Sequence, residues 1–199
     1  MIKPFSNALV TSALILVTGL VGTAQSYAAV SIIQGKTIIP AGNATSDKDL
    51  TIRNDKLAFS LALGSAPPWG VARGCIVDIA NVTDDGTLSS DRVAFADFIP
   101  NNWSSWPNTY QRVDILKDTQ DEAIVKITRD FAKVVITTVY SLESGSDRIH
   151  VKTTMTNEGE ALTDMLSGYT LWPDGGYKFA VPGYGNNPEV VVNNYWLRC

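Results

Sequence analysis

Residues 133–157 read KVVITTVYSLESGSDRIHVKTTMTN, and this stretch decides the fold class. Val, Ile and Thr crowd Lys133–Leu142 and Arg148–Asn157. Such β-branched side chains suit a pleated sheet and cost helix stability. Between the two runs, Leu142-Glu143-Ser144-Gly145-Ser146-Asp147 is a turn, with Gly145 available for positive φ. In the second run His150 alternates onto one face with Arg148, Lys152 and Thr154, while Ile149, Val151 and Met155 take the other. The pattern is that of an antiparallel hairpin with one apolar and one polar face, and it favours a solvated strand histidine over a general base at His150.

The same two-residue period appears upstream. Leu57, Phe59, Leu61 and Leu63 alternate with Ala58, Ser60 and Ala62, and Gly64-Ser65-Ala66-Pro67-Pro68-Trp69-Gly70 ends the run in a stiff loop. Further strands are predicted at Cys75–Ala80, Arg92–Phe98, Arg112–Leu116 and Glu122–Arg129. Asp84-Asp85-Gly86 and Asn157-Glu158-Gly159 mark turns. No window carries a capped stripe of 3.6-residue period. Short strands at this spacing indicate an all-β, antiparallel β-sandwich. Residues 29–49, interrupted by Pro40-Ala41-Gly42-Asn43, read as an irregular leader that adds one edge strand around Lys36 to Ile39. Residues 50–199 then form one β-sandwich domain.

The first 28 residues read as an address. Lys3 is followed by a nearly uncharged run from Ala8 to Val21, and Ser26-Tyr27-Ala28 offers small residues at the two positions a signal peptidase reads. The run is short for a bilayer span of about 20 residues, and no basic stop-transfer cluster follows. Cleavage after Ala28 is expected, with Ala29 as the neighbouring option, followed by export to the periplasm or the medium and no membrane span afterwards. The remaining 171 residues suffice for one domain with a real core.

The 199-residue chain carries a formal charge of −4, with basic residues scattered singly. A mildly acidic surface without a basic patch disfavours phosphate backbones, so nucleic acid is not an expected partner. Cys75 and Cys199 lack a CxxC neighbour, and two free thiols are favoured over a bridge. One histidine and two cysteines make zinc improbable. No metal site or cofactor is expected, although an oxygen-ligated calcium stays open. No GxSxG, Walker or dinucleotide fingerprint is present.

Three segments break the strand pattern with aromatic, amide and proline residues: Pro67–Gly70, Asp97–Tyr110 and Tyr169–Phe179. They hold four of the five Trp residues. Indole and phenol rings stack on the C–H face of a pyranose, while Asp, Asn and Arg bond its hydroxyls. Prolines beside Trp106 and Trp172 stiffen the chain and lower the entropy lost on binding. Trp69, Trp103, Trp106, Tyr110, Trp172 and Tyr177 are therefore the candidate ligand-binding residues, with carbohydrate as the partner. The competing reading is that the rings plug the ends of the sandwich. If the protein is instead an enzyme acting on sugars or polysaccharides, Asp97 and Asp174 are the candidate catalytic carboxylates, one to be held protonated. A structural interaction module is the third reading.

Two stretches carry a family resemblance. Leu50-Thr51-Ile52-Arg53-Asn54-Asp55-Lys56-Leu57-Ala58-Phe59, with Gly74–Ile79 after a loop, resembles the opening strands of the galactose mutarotase-like β-supersandwich domains. Asp147–Val151, running to Thr156-Asn157-Glu158-Gly159, resembles the strand that closes on a similar Asn-containing turn. The resemblance implies a supersandwich and a carbohydrate-active or accessory role. Mutarotases of this class use two histidines and a glutamate, so with one histidine no catalytic residue carries over. Such domains also usually run longer. The tail from Asn186 to Cys199 shows no obvious closing partner, and one expectation is that this is the front part of a longer exported protein.

Overall fold

The computed structural model describes residues 29–68, 72–100, 110, 112–131, 133–161, 167–174 and 196–197. Eleven strands follow one another among them: β1 (Ser31–Gln34), β2 (Leu50–Arg53), β3 (Leu57–Leu61), β4 (Ile76–Asn81), β5 (Val93–Pro100), β6 (Arg112–Asp118), β7 (Glu122–Phe131), β8 (Val134–Glu143), β9 (His150–Asn157), β10 (Ser167–Pro173) and β11 (Trp196–Leu197). They form a seven-stranded sheet in the order β1-β2-β3-β4-β5-β10-β11 and a four-stranded sheet in the order β6-β7-β8-β9. Every registered pair is antiparallel. The fold is the all-β, sandwich-like class the alternation implies.

The core forms where the two sheets face each other. Leu50, Ile52, Leu57, Phe59, Leu61 and Ile76 of the large sheet meet Ala123, Val125, Ile127, Tyr140 and Leu142 of the small one. The Phe59 and Tyr140 rings lie 6.4 Å apart, centroid to centroid, across this interface. Successive side chains of a strand point to opposite faces, so one face of each strand feeds the core. In β8 each even-numbered residue from Val134 to Leu142 is buried, and each odd one from Val135 to Ser141 is half-buried. On β9, His150, Lys152 and Thr154 are exposed, as their alternation requires. Gly145 has φ of 69° in the connecting turn, where it meets no steric penalty.

Residues 29–49 are more regular and more deeply packed than a leader. Their strand lies at Ser31–Gln34, paired with β2, and not around Lys36 to Ile39. From Thr37 to Ala44 the chain instead crosses the outer face of the large sheet. Ile39 is buried against Ala58, Ala80 and Leu88, and Thr37 Oγ1 lies 2.7 Å from Ser60 Oγ. Ala58 and Ser60 alternate with Leu57, Phe59 and Leu61, so this crossing covers the face opposite the core.

Two of the segments read as aromatic loops prove partly to be strand. Asp97–Pro100 continues β5, and Tyr169–Pro173 belongs to β10, which pairs with β5 from Ser167↔Pro100 to Pro173↔Val93. Tyr, Thr and Trp fit a pleated surface well, and Pro173 sits at an irregularity where the ladder ends.

Candidate functional site

At one end of the large sheet the last residues of β3 and β5 meet the first residues of β4 and β10. β3 leaves it at Leu61 and β4 returns at Ile76. The excursion between them is closed by Ala62 N–H donating to Cys75 O at 3.0 Å and Gly74 N–H donating to Ala62 O at 2.6 Å. The pairing Ile76↔Ala96 sets this excursion beside the second half of β5. The pairing Ser167↔Pro100 brings the start of β10 to the same end. Tyr110 approaches here too: a Cβ built on Gly74 would lie 3.5 Å from its ring, and 2.7 Å from Ile127 Cγ2. With φ of +90° as well, position 74 admits only glycine without strain.

The sequence candidates divide accordingly. Tyr110 is half-buried against the inter-sheet core. Trp172 is half-buried against Ala44, Ala62, Cys75 and Val77, a different cluster. Trp69, Trp103, Trp106 and Tyr177 lie outside the described residues. Asp174 is half-buried at the opposite end of β5, its N–H donating to Arg92 O at 3.2 Å. Asp97 lies five residues along β5 from Arg92, about 17 Å at the strand rise. Glycosidase carboxylates work about 5–9.5 Å apart, so Asp97 and Asp174 are not brought together as such a pair.

Asp97 instead meets a partner that the sequence reading missed. Its Oδ2 accepts from Arg129 Nη2 at 2.8 Å, with both side chains fully buried. Phe98 N–H donates to Oδ1 at 2.7 Å. Arg129 Nε donates to Arg73 O at 3.3 Å, and Tyr140 Oη donates to Gly74 O at 3.1 Å. Burial raises the Asp97 carboxyl, with Arg129 and the Phe98 N–H pulling it back. Burial also opposes the Arg129 charge, but the Asp97 carboxylate, Tyr140 and Cys75 together more than offset it. This ion pair ties β5 to β7 beneath that end of the large sheet. The signal for Arg129 was its phase, because it follows Ala123, Val125 and Ile127 on the inward face of β7. Cys75 lies alongside as a free, buried thiol. Burial and the nearby Asp97 charge push it far up, which leaves it unreactive.

A second group of acids lies on the outer face, beneath the Thr37–Ala44 crossing. Asp78 accepts from the N–H groups of Asn43 and Ala44. Asp91 accepts at Oδ1 from Ile79 N–H at 2.8 Å, Arg92 N–H at 2.7 Å and Val93 N–H at 3.2 Å. Burial raises both, and Asp91 reaches about 6 with the neighbouring Asp78 charge adding to the effect. Between the unfolded and folded values the native state holds the Asp91 proton more tightly, so stability falls as pH rises through 6. Thermal melts of wild type and Asp91→Asn at pH 7 and 5 test this. Wild type should gain about 1 kcal/mol on the variant as pH falls, and a constant difference would refute it.

Elsewhere, a cleft of about 280 Å³ opens between the Asn54 turn and the Thr83–Gly86 turn, with Ala29 on its wall. Among the described residues no three His, Cys, Asp or Glu side chains group as a metal site, and no helix is long and apolar enough to cross a membrane. Compared with protein-family models, curated proteins and solved structures, the chain matches none.

Proposed function

We propose that this is an exported carbohydrate-binding β-sandwich whose sugar contacts are made at the end of the large sheet where β5 ends. The observation that carries the reading is the register of β4 with β5. It sets Ala62 and Cys75 beside the end of β5, so two stretches that carry three of the five Trp residues in sequence both set out from one end of the sheet. In sequence Trp69 follows Pro68 directly, and Trp103 and Trp106 fall between Pro100 and Tyr110. The buried Asp97–Arg129 pair stiffens the base of this end, which favours a preformed surface. Trp172 contributes from the outer face of β10.

Titration of the purified protein with soluble β-glucan, mannan, galactan and xylan, followed by Trp fluorescence, tests the reading. A saturable change is expected with at least one polymer. Trp106→Ala should weaken that binding about tenfold, the usual size for a stacked aromatic anchor. No response to any of the four polymers would overturn the proposal, as would unaltered affinity in both Trp103→Ala and Trp106→Ala.

A further inference from the structure

The cleft between the two turns has a feature that its own residues leave incomplete. Asp55, in the turn after β2, is joined to Lys56 through one oxygen only: Lys56 Nζ lies 3.4 Å from Oδ2. The other oxygen, Oδ1, is buried and has no hydrogen-bond partner among the described residues. A carboxylate oxygen in that position costs free energy unless a donor reaches it. Arg53, which shares the cleft, turns its guanidinium to Gly86 O at 3.3 Å. Asp84 completes the charged lining, so Arg53, Lys56, Asp55 and Asp84 sum to zero before anything enters.

Ala29 stands on the wall of this same cleft. The residue after it is fixed: Val30 is buried, and its N–H donates to Gln120 O at 2.9 Å. Residue 29, itself exposed, directly precedes this anchored residue, and it is also the residue at which the expected peptidase cut begins the mature chain. That cut adds water across the Ala28–Ala29 bond. The carbonyl carbon leaves with the leader as a carboxylate, and the nitrogen stays on Ala29 as an α-ammonium.

We infer that the cleft is the receptor for the mature N-terminus, in which the α-ammonium of Ala29 becomes the missing donor to Asp55 Oδ1. Processing then does more than release the protein from its leader. It supplies a positive charge to an otherwise balanced cleft, and ties the start of β1 to the β2–β3 turn. The inference rests on the export reading, but not on carbohydrate binding.

The test uses the full chain expressed with its own leader and purified after export. Mass spectrometry of the N-terminal peptide identifies the first residue, which is expected to be Ala29. An intact leader would overturn both export and this inference, whereas a different first residue would overturn this inference alone. The N-terminal amine is then acetylated at neutral pH, with peptide mass spectrometry following the rate. An opposite charge within hydrogen-bond reach holds an amine protonated, so wild type should react about tenfold more slowly than Asp55→Asn. Asp84→Asn should behave as wild type. Equal rates in wild type and Asp55→Asn would overturn the assignment, as would a change confined to Asp84→Asn.

Discussion

Replacing Arg129 by Met is expected to lower the free energy of unfolding by about 3–5 kcal/mol, the cost of leaving one member of a buried ion pair without its counter-charge. Methionine approximates the length of the arginine stem, so the loss reports charge more than volume. Asp97 would stay fully buried, with only the Phe98 N–H and the Tyr140 hydroxyl facing it among the described residues. Asp97→Asn should be similarly costly, because it removes the counter-charge of the buried guanidinium instead. The double variant should lose clearly less than the sum of the two, by about 1–3 kcal/mol, since neither charge then remains to be solvated. Urea unfolding of the four proteins measures this cycle. A loss below about 1 kcal/mol in Arg129→Met, or strict additivity, would show that the pair does not couple the two sheets.

That pair also marks the boundary of what could be read from the chain alone. The inward phase of Arg129 is visible in β7, where it continues the series Ala123, Val125, Ile127. Its partner is not visible, because Asp97 lies on the other sheet and only the packing of the sandwich brings the two together. The same holds for Asp78. Its place in Val77-Asp78-Ile79 reads as a residue turned to solvent, and the strand does turn it away from the core. It is buried because the Thr37–Ala44 crossing covers that face, and an irregular segment carries no period that would reveal its path. The exposed face of β9 needed no such long-range information, so His150, Lys152 and Thr154 were legible from alternation. Tyr169–Trp172 failed for a third reason. Prolines and glycines just beyond it suggested a loop, whereas after the nine residues that separate β9 from β10 the chain pairs with β5 along its length.

Asp49→Ala is the other substitution expected to damage the protein severely, and its effect bears on the same end of the large sheet. Asp49 is fully buried. Its Oδ1 accepts from the N–H groups of Leu63 and Gly64 at 2.8 Å and of Ser65 at 3.1 Å. Its Oδ2 accepts from Ser46 N–H at 2.8 Å and Ser65 Oγ at 2.5 Å. Ser65 in turn accepts at Oγ from the N–H groups of Thr45 and Ser46. One carboxylate thus holds the segment that leads into Pro67-Pro68-Trp69. Alanine would orphan several buried donors at about 1–3 kcal/mol each, and with some relieved by water a total loss of about 4 kcal/mol is expected. Asp49→Asn keeps one acceptor oxygen and should lose about half as much. Although burial opposes the charge, the Ser65, Gly64 and Ser46 donors more than offset it and hold the carboxyl below its usual value. A lowered folded value gives stability that is present above the unfolded value and lost as pH falls through the folded one. The gap between wild type and Asp49→Asn in thermal melts should therefore be full at pH 6 and shrink in strongly acidic buffer. If the carboxylate only braces the segment, Asp49→Asn should also weaken glycan binding while leaving the Trp fluorescence change at saturation intact. A gap that widens in acid would contradict this account of Asp49.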